Sequence, residues 1–213
     1  MNITGFFYIK LKRFTLNTTF NIHINKITAI IGEAGSGKTT FLKCISGLLK
    51  PSFGYLKINK KTLYDSRNNI FINSNERCVG HVLQNPYLFT HLSVLNNIKC
   101  GVIETNKCYI TFSNIITYLN LNKLTNRTIE NISGGERQRI IIAQIMLTQP
   151  KIILLDESFS SQDINMKKKL MIFFKNINRE YKIPIIYVSH NIYNIKKFVD
   201  SIIFFKNGKI VNM

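Results

Sequence analysis

The sequence predicts an α/β fold with a mostly parallel core sheet, a small antiparallel β region and an inserted helical subdomain. Three observations carry that reading. Three short apolar runs, 27–31, 151–155 and 185–188, read as buried strands separated by helical stretches. A glycine-rich turn joins the first of these strands to a helix. From His81 to about Gln149 the strand signals thin out and helical ones dominate. A single domain is expected over 1–213, with 1–80 and 150–213 forming the β-rich core and about 81–149 the helical insertion.

In chain order, 3–14 and 20–24 alternate loosely between apolar and polar residues and read as strands. Ile27 to Ile31 follows as a buried strand, and the run after the glycine turn is helical to Leu49. Pro51 and Gly54 end that unit. Strands of a small β region are expected at 55–58 and 70–72. Beyond the insertion, Pro150 precedes the second buried strand, and 165–180 reads as an amphipathic helix. Segments 202–205 and 209–211 form a closing hairpin around an Asn207-Gly208 turn.

Composition excludes several classes. Hydrophobic residues make up 45% of the chain, too many for wholesale disorder. No window approaches the ~18 uninterrupted apolar residues of a membrane span. The richest stretch, Ile140 to Leu147, is broken by Gln144. Met1 to Lys10 lacks a charged-then-apolar leader pattern, so a cytosolic chain is expected. Cys44, Cys78, Cys100 and Cys108 show no C-x-x-C spacing and read as free thiols. The four histidines show no ligand spacing either. The 29 Lys and Arg outnumber the 11 Asp and Glu, for a formal net charge of +18. The basic residues are spread through helices and turns alike, not gathered into a stripe, so no nucleic-acid partner is expected.

The scarce acids mark the chemistry. Gly32-Glu33-Ala34-Gly35-Ser36-Gly37-Lys38-Thr39 fits G-x-x-x-x-G-K-[ST] between a strand and a helix. Its glycines permit a tight turn whose N–H groups surround a phosphate, at the positive end of a helix. Lys38 is expected to reach the β- and γ-phosphates of a nucleotide, Thr39 to offer its hydroxyl to Mg²⁺, and Thr40 to close the cradle. The apolar run 152–155 ends in Asp156 and Glu157, at the same sheet edge as the loop. Asp156 is placed to hold the Mg²⁺ shell, and Glu157 to orient or deprotonate an attacking water.

Ser133-Gly134-Gly135-Glu136, 23 residues before Asp156, opens an apolar helix and is a second anion cradle. One nucleotide does not need two cradles in one chain, but two chains facing head to tail use both. Here the sequence resembles the ABC-type ATPases, whose signature motif reads Leu-Ser-Gly-Gly-Gln. The resemblance implies a P-loop NTPase fold and a homodimer with ATP sandwiched between one subunit's phosphate loop and the other's Ser133, Gly134 and Gly135. It also implies roles for single residues. Gln84 matches the Q-loop, contacting Mg²⁺ and linking to a membrane partner. Asp163 matches the D-loop, and His190 the switch histidine at the γ-phosphate. Phe14 is a candidate to stack on adenine, or equally a core aromatic.

The resemblance spans essentially the whole chain and is strongest to the ATPase subunits of molybdate importers. It rests there on Ile27-Thr28-Ala29-Ile30, Leu88-Phe89-Thr90-His91-Leu92-Ser93-Val94 and Ile183-Pro184-Ile185-Ile186-Tyr187-Val188-Ser189-His190. Importers of sulfate, other oxyanions and polyamines are similar. It implies an ATP-hydrolysing subunit on the cytoplasmic face of the inner membrane, with a permease and a periplasmic or extracellular substrate-binding protein as partners. A non-hydrolysing ATP switch is the alternative. Three departures stand out. Ser158 replaces the usual Pro, and Gln162 the usual Leu of the D-loop, where weaker packing across the dimer is expected. The C-terminal oxyanion-binding regulatory domain of molybdate-importer ATPases does not follow within the 213 residues.

Overall fold

The computed structural model describes residues 2–12, 14–23, 26–84, 87–103, 108–157, 159, 162–190 and 196–211. Asn85, Ser158, Ser160 and Ser161, which belong to the motifs above, lie outside the described residues. The strands are β1 (Asn2–Leu11), β2 (Phe14–His23), β3 (Ile27–Ile31), β4 (Phe53–Ile58), β5 (Lys61–Asp65), β6 (Ile70–Phe71), β7 (Val79–Val82), β8 (Ile152–Asp156), β9 (Ile185–Ser189), β10 (Ser201–Lys206) and β11 (Lys209–Val211). The helices are α1 (Lys38–Ser46), α2 (Val94–Lys99), α3 (Phe112–Tyr118), α4 (Gly134–Leu147) and α5 (Ile164–Tyr181).

Two sheets result. An antiparallel sheet runs β2-β1-β4-β5-β6, and a core sheet runs β11-β10-β3-β9-β8-β7. Within the core sheet β10, β3, β9, β8 and β7 pair in parallel, and β11 closes one edge antiparallel. Strands β3, β8 and β9 are buried at every residue, which explains their unbroken apolar sequences. One face of the core sheet packs on α1 and the antiparallel sheet. There Phe41 of α1 meets Phe20 at 4.9 Å, Phe205 at 5.6 Å and Phe7 at 5.9 Å between ring centroids. The other face packs on α4 and α5, with α2 and α3 adding to the same cluster.

Five elements differ from the sequence reading. The first hairpin turns after Leu11, and β2 is ten residues long, not a short piece at 20–24. Its middle looks polar because Thr18 takes a core-facing position, 2% exposed, where its hydroxyl accepts the N–H of Ile210 at 3.2 Å. Strand β4 begins at Phe53 and runs through Gly54, which had read as a terminator. Strands β5 and β7 were not anticipated, and β7 extends the core sheet into a stretch read as helical. Helix α1 stops at Ser46, capped by Gly47 at φ 82°, three residues short of the expected end. Among the described residues no helix is long and apolar enough to cross a membrane.

Candidate nucleotide-binding site

Parallel pairing decides what meets at the site. Strand β3 delivers the loop 32–37, β8 ends on Asp156, and β9 ends on Ser189 just before His190. Strand β7 ends at Val82, two residues before Gln84. Because the registers align Ile31 with Ser189, Asp156 with Val188 and Val82 with Leu155, these ends emerge at one edge. Leu11, Phe14, Ala34, Gly35, Gly37, Lys38, Thr39, Thr40, Gln84 and Glu157 line a groove of about 360 Å³ there.

The loop is built around Lys38, which is 5% exposed. Its ammonium donates to the carbonyls of Gly32 at 2.8 Å and Glu33 at 2.6 Å, and to the Ser36 hydroxyl at 3.3 Å. Burial pulls its pKa below the ordinary lysine value, while Glu157 and Asp156 partly restore it. Gly37 caps α1 at φ 105°, and a Cβ there would stand 2.2 Å from the Phe14 ring. Gly37→Ala therefore combines backbone strain with a clash. We expect a stability loss of about 1–3 kcal/mol, read by urea denaturation, together with weakened ATP binding. Phe14 packs partly on the core and partly over the loop, so both readings of this residue touch the same place. Sequence reasoning did not anticipate that the Asn207-Gly208 turn clamps the loop. The N–H of Gly208 donates to Ser36 O at 2.9 Å, and Gly208 O accepts from Asn17 N at 2.9 Å.

Asp156 is 1% exposed. Its Oδ1 accepts the Thr39 hydroxyl at 3.2 Å, and its Oδ2 has no hydrogen-bond partner among the described residues. A buried carboxylate oxygen left bare beside a threonine hydroxyl fits a hard cation such as Mg²⁺. Burial raises the Asp156 pKa above the ordinary carboxylate range, against the Thr39 hydrogen bond, and neighbouring Glu157 adds to the rise. Such a group contributes stability in acid that is lost as pH climbs through the raised value. Asp156→Asn is therefore expected to raise the Tm of the nucleotide-free chain at neutral pH. The difference should vanish below the unfolded value of 3.8, as thermal scans in chelator across pH will show.

Glu157 follows in a left-handed backbone conformation, φ 47°, at a cost of about 1–3 kcal/mol. Its N–H donates to Val188 O at 3.2 Å. Its Oε2 accepts from Gln84 Nε2 at 3.3 Å, and its Oε1 lies 3.5 Å from His190 Nδ1. The strained turn thus aims a partly exposed carboxylate between the Q-loop glutamine and the histidine.

Ser133, Gly134 and Gly135 are not among the groove's lining residues. They form the N-terminus of α4, with Ser133 and Glu136 in a capping box: Ser133 N donates to Glu136 Oε2 at 2.7 Å, and Glu136 N to Ser133 Oγ at 3.2 Å. That backbone hydrogen bond holds the Glu136 carboxyl below its ordinary pKa. Asp163 caps α5 by accepting from Met166 N at 2.8 Å. Gln162 turns inward within its own chain instead of outward, 6% exposed, a role that residue type alone did not signal.

The model of the ABC transporter family matches residues 16–160. The chain belongs to the ABC transporter family. It is 34% identical over 202 residues to the "Molybdenum import ATP-binding protein ModC" of Photobacterium profundum, covering 95% of this chain and 56% of that protein. It is 36% identical over 199 residues to the ModC of Haemophilus ducreyi, covering 92% and 56%. The chain thus spans about half the length of the curated relatives it matches. An ATP-binding cassette solved as a dimer in a post-hydrolysis state with ADP and Pi superposes with a TM-score of 0.82 at 24% identity, over 100% of this chain and 97% of that one. By family and fold this is an ABC cassette, in which the loop 32–39, Gln84, Asp156, Glu157 and His190 meet at one edge and the start of α4 stands apart from them.

Proposed function

We propose that the chain is the ATP-hydrolysing subunit of an ABC importer that takes up an oxyanion, with molybdate the favoured cargo. The observation that carries the catalytic half is the convergence of Lys38, Thr39, Asp156, Glu157, Gln84 and His190 at one sheet edge. The cargo rests on the relatives, whose names state molybdenum import.

The residues divide the work. The loop's N–H groups and Lys38 hold the β- and γ-phosphates, so the lysine exchanges its present carbonyl partners for phosphate oxygens. Thr39, Asp156 and Gln84 hold Mg²⁺, which when bound neutralises charge on the phosphates. Glu157 accepts a proton from water, oriented by Gln84 and His190. Ser133, Gly134 and Gly135 serve the nucleotide of a second copy, so ATP closes a homodimer and loss of the γ-phosphate reopens it. A permease in the membrane and a periplasmic or extracellular substrate-binding protein complete the importer, with this chain on the cytoplasmic face.

Affinity purification of the tagged chain from detergent-solubilised membranes, followed by reconstitution in vesicles, tests the reading. A multi-span permease should co-purify, and molybdate with its binding protein should stimulate ATP hydrolysis. Stimulation by sulfate or a polyamine alone would replace the cargo. Recovery of soluble proteins only would remove transport and leave the nucleotide site standing.

A further inference from the structure

The segment ahead of α5 carries a buried polar network that the reaction scheme above does not use. Gln162 is 6% exposed and Gln138 of α4 is 4% exposed. Gln162 Nε2 donates to Gly135 O at 2.7 Å and to Gln138 Oε1 at 3.2 Å. Its Oε1 accepts from Arg139 Nη1 at 3.4 Å. One amide side chain therefore uses both its donor and acceptor ends on the first turn and a half of α4. The backbone N–H of Gln162 donates to Phe159 O at 3.2 Å, and the next residue, Asp163, caps α5. A buried side chain with these partners is held in one geometry, because rotating it away strands its own buried amide.

The far end of that connection is Ser133–Gly135. Ser133 and Gly134 stand exposed at the start of α4 and Gly135 is half-buried, and a Cβ at Gly134 would meet nothing within 4 Å. Without Gln162, this helix start is held by its own capping box and by Arg137 Nη2 on Ile129 O at 3.3 Å. Gln162 adds a tie to a different element, the start of α5, which the next residue Asp163 caps.

We propose that Gln162 is a positioning residue: its amide latches the N-terminus of α4 to the start of α5, so that Ser133–Gly135 is held in one orientation against that helix. Its effect on turnover rests on the two-chain ATP sandwich proposed above, whereas the latch itself is a property of the single chain. In a closing dimer the latch presents Ser133–Gly135 to a second chain's nucleotide in a fixed orientation.

Gln162→Met keeps length and apolar volume but removes every polar contact, and Gln162→Leu is the second variant in case the first fails to fold. Amide hydrogen exchange on the nucleotide-free chain is read first. The segment 133–139 should exchange about five-fold faster than in the parent, with α1 and α5 unchanged. In steady-state hydrolysis kcat should fall about ten-fold while the KM for ATP stays within about two-fold, since the phosphate loop is untouched. Unchanged exchange in 133–139 overturns the latch whether or not the chain hydrolyses ATP. Faster exchange with kcat retained overturns its role in positioning. A parent chain without hydrolysis sinks the enzymatic reading, and the exchange experiment then decides the latch alone.

Discussion

Glu157→Gln should abolish ATP turnover while leaving ATP bound and the dimer closed. The substitution is nearly isosteric. Its amide oxygen still accepts from Gln84 Nε2, which now sits 3.3 Å from Glu157 Oε2, and the backbone at φ 47° is unaltered. What disappears is the base between Gln84 and His190. Removing a positioned general base costs about 10²–10⁴-fold in rate. Binding is spared because Lys38, Thr39 and Asp156 hold their places without the Glu157 charge. Phosphate release should fall to background, and light scattering should show a dimer with Mg·ATP but a monomer with ADP. A Glu157→Gln chain that hydrolyses at near parental rates would remove Glu157 from the base role.

Lys38→Ala should have the opposite profile, losing ATP binding and, with it, everything downstream. The ammonium is buried and charge-assisted, and truncating such a partner costs about 2–5 kcal/mol, roughly thirty-fold or more in Kd. The fold should survive. Alanine removes a desolvated charge and does not strand one, and the Gly32 and Glu33 carbonyls it leaves lie on an accessible loop. Titration with a fluorescent ATP analogue, checked against circular dichroism, separates the two effects. Parental affinity in Lys38→Ala would place the nucleotide elsewhere.

Much of this site was legible in the sequence because its chemistry needs particular residue types at particular spacings. Gly32–Thr39, Asp156-Glu157 and His190 each follow an apolar run, and parallel pairing brings those runs' ends together. What the sequence hid, it hid for physical reasons. Strand β5 buries Leu63 and Tyr64 in succession, because a register shift opposite it at Leu56/Lys57 breaks the two-residue period. Strand β7 carries Gly80 and His81 in place of an apolar run. A Cβ at Gly80 would stand 2.7 Å from Ile145, and the His81 ring pairs with Ser46 Oγ at 3.1 Å. Burial lowers the His81 pKa to about 4, so this strand carries a neutral imidazole. Gln162 read as a weak point between subunits. Only coordinates show its amide turned back onto Gly135.

In the function proposed, this chain hydrolyses ATP at a site completed by two copies. The concentration dependence of Mg²⁺-dependent phosphate release from the purified chain tests it most directly. The specific rate of release should climb with protein concentration, because Ser133–Gly135 of one copy must reach the nucleotide of the other, and should vanish in Lys38→Ala. A specific rate independent of concentration would contradict the two-copy site, and release that persists in Lys38→Ala would contradict the site itself.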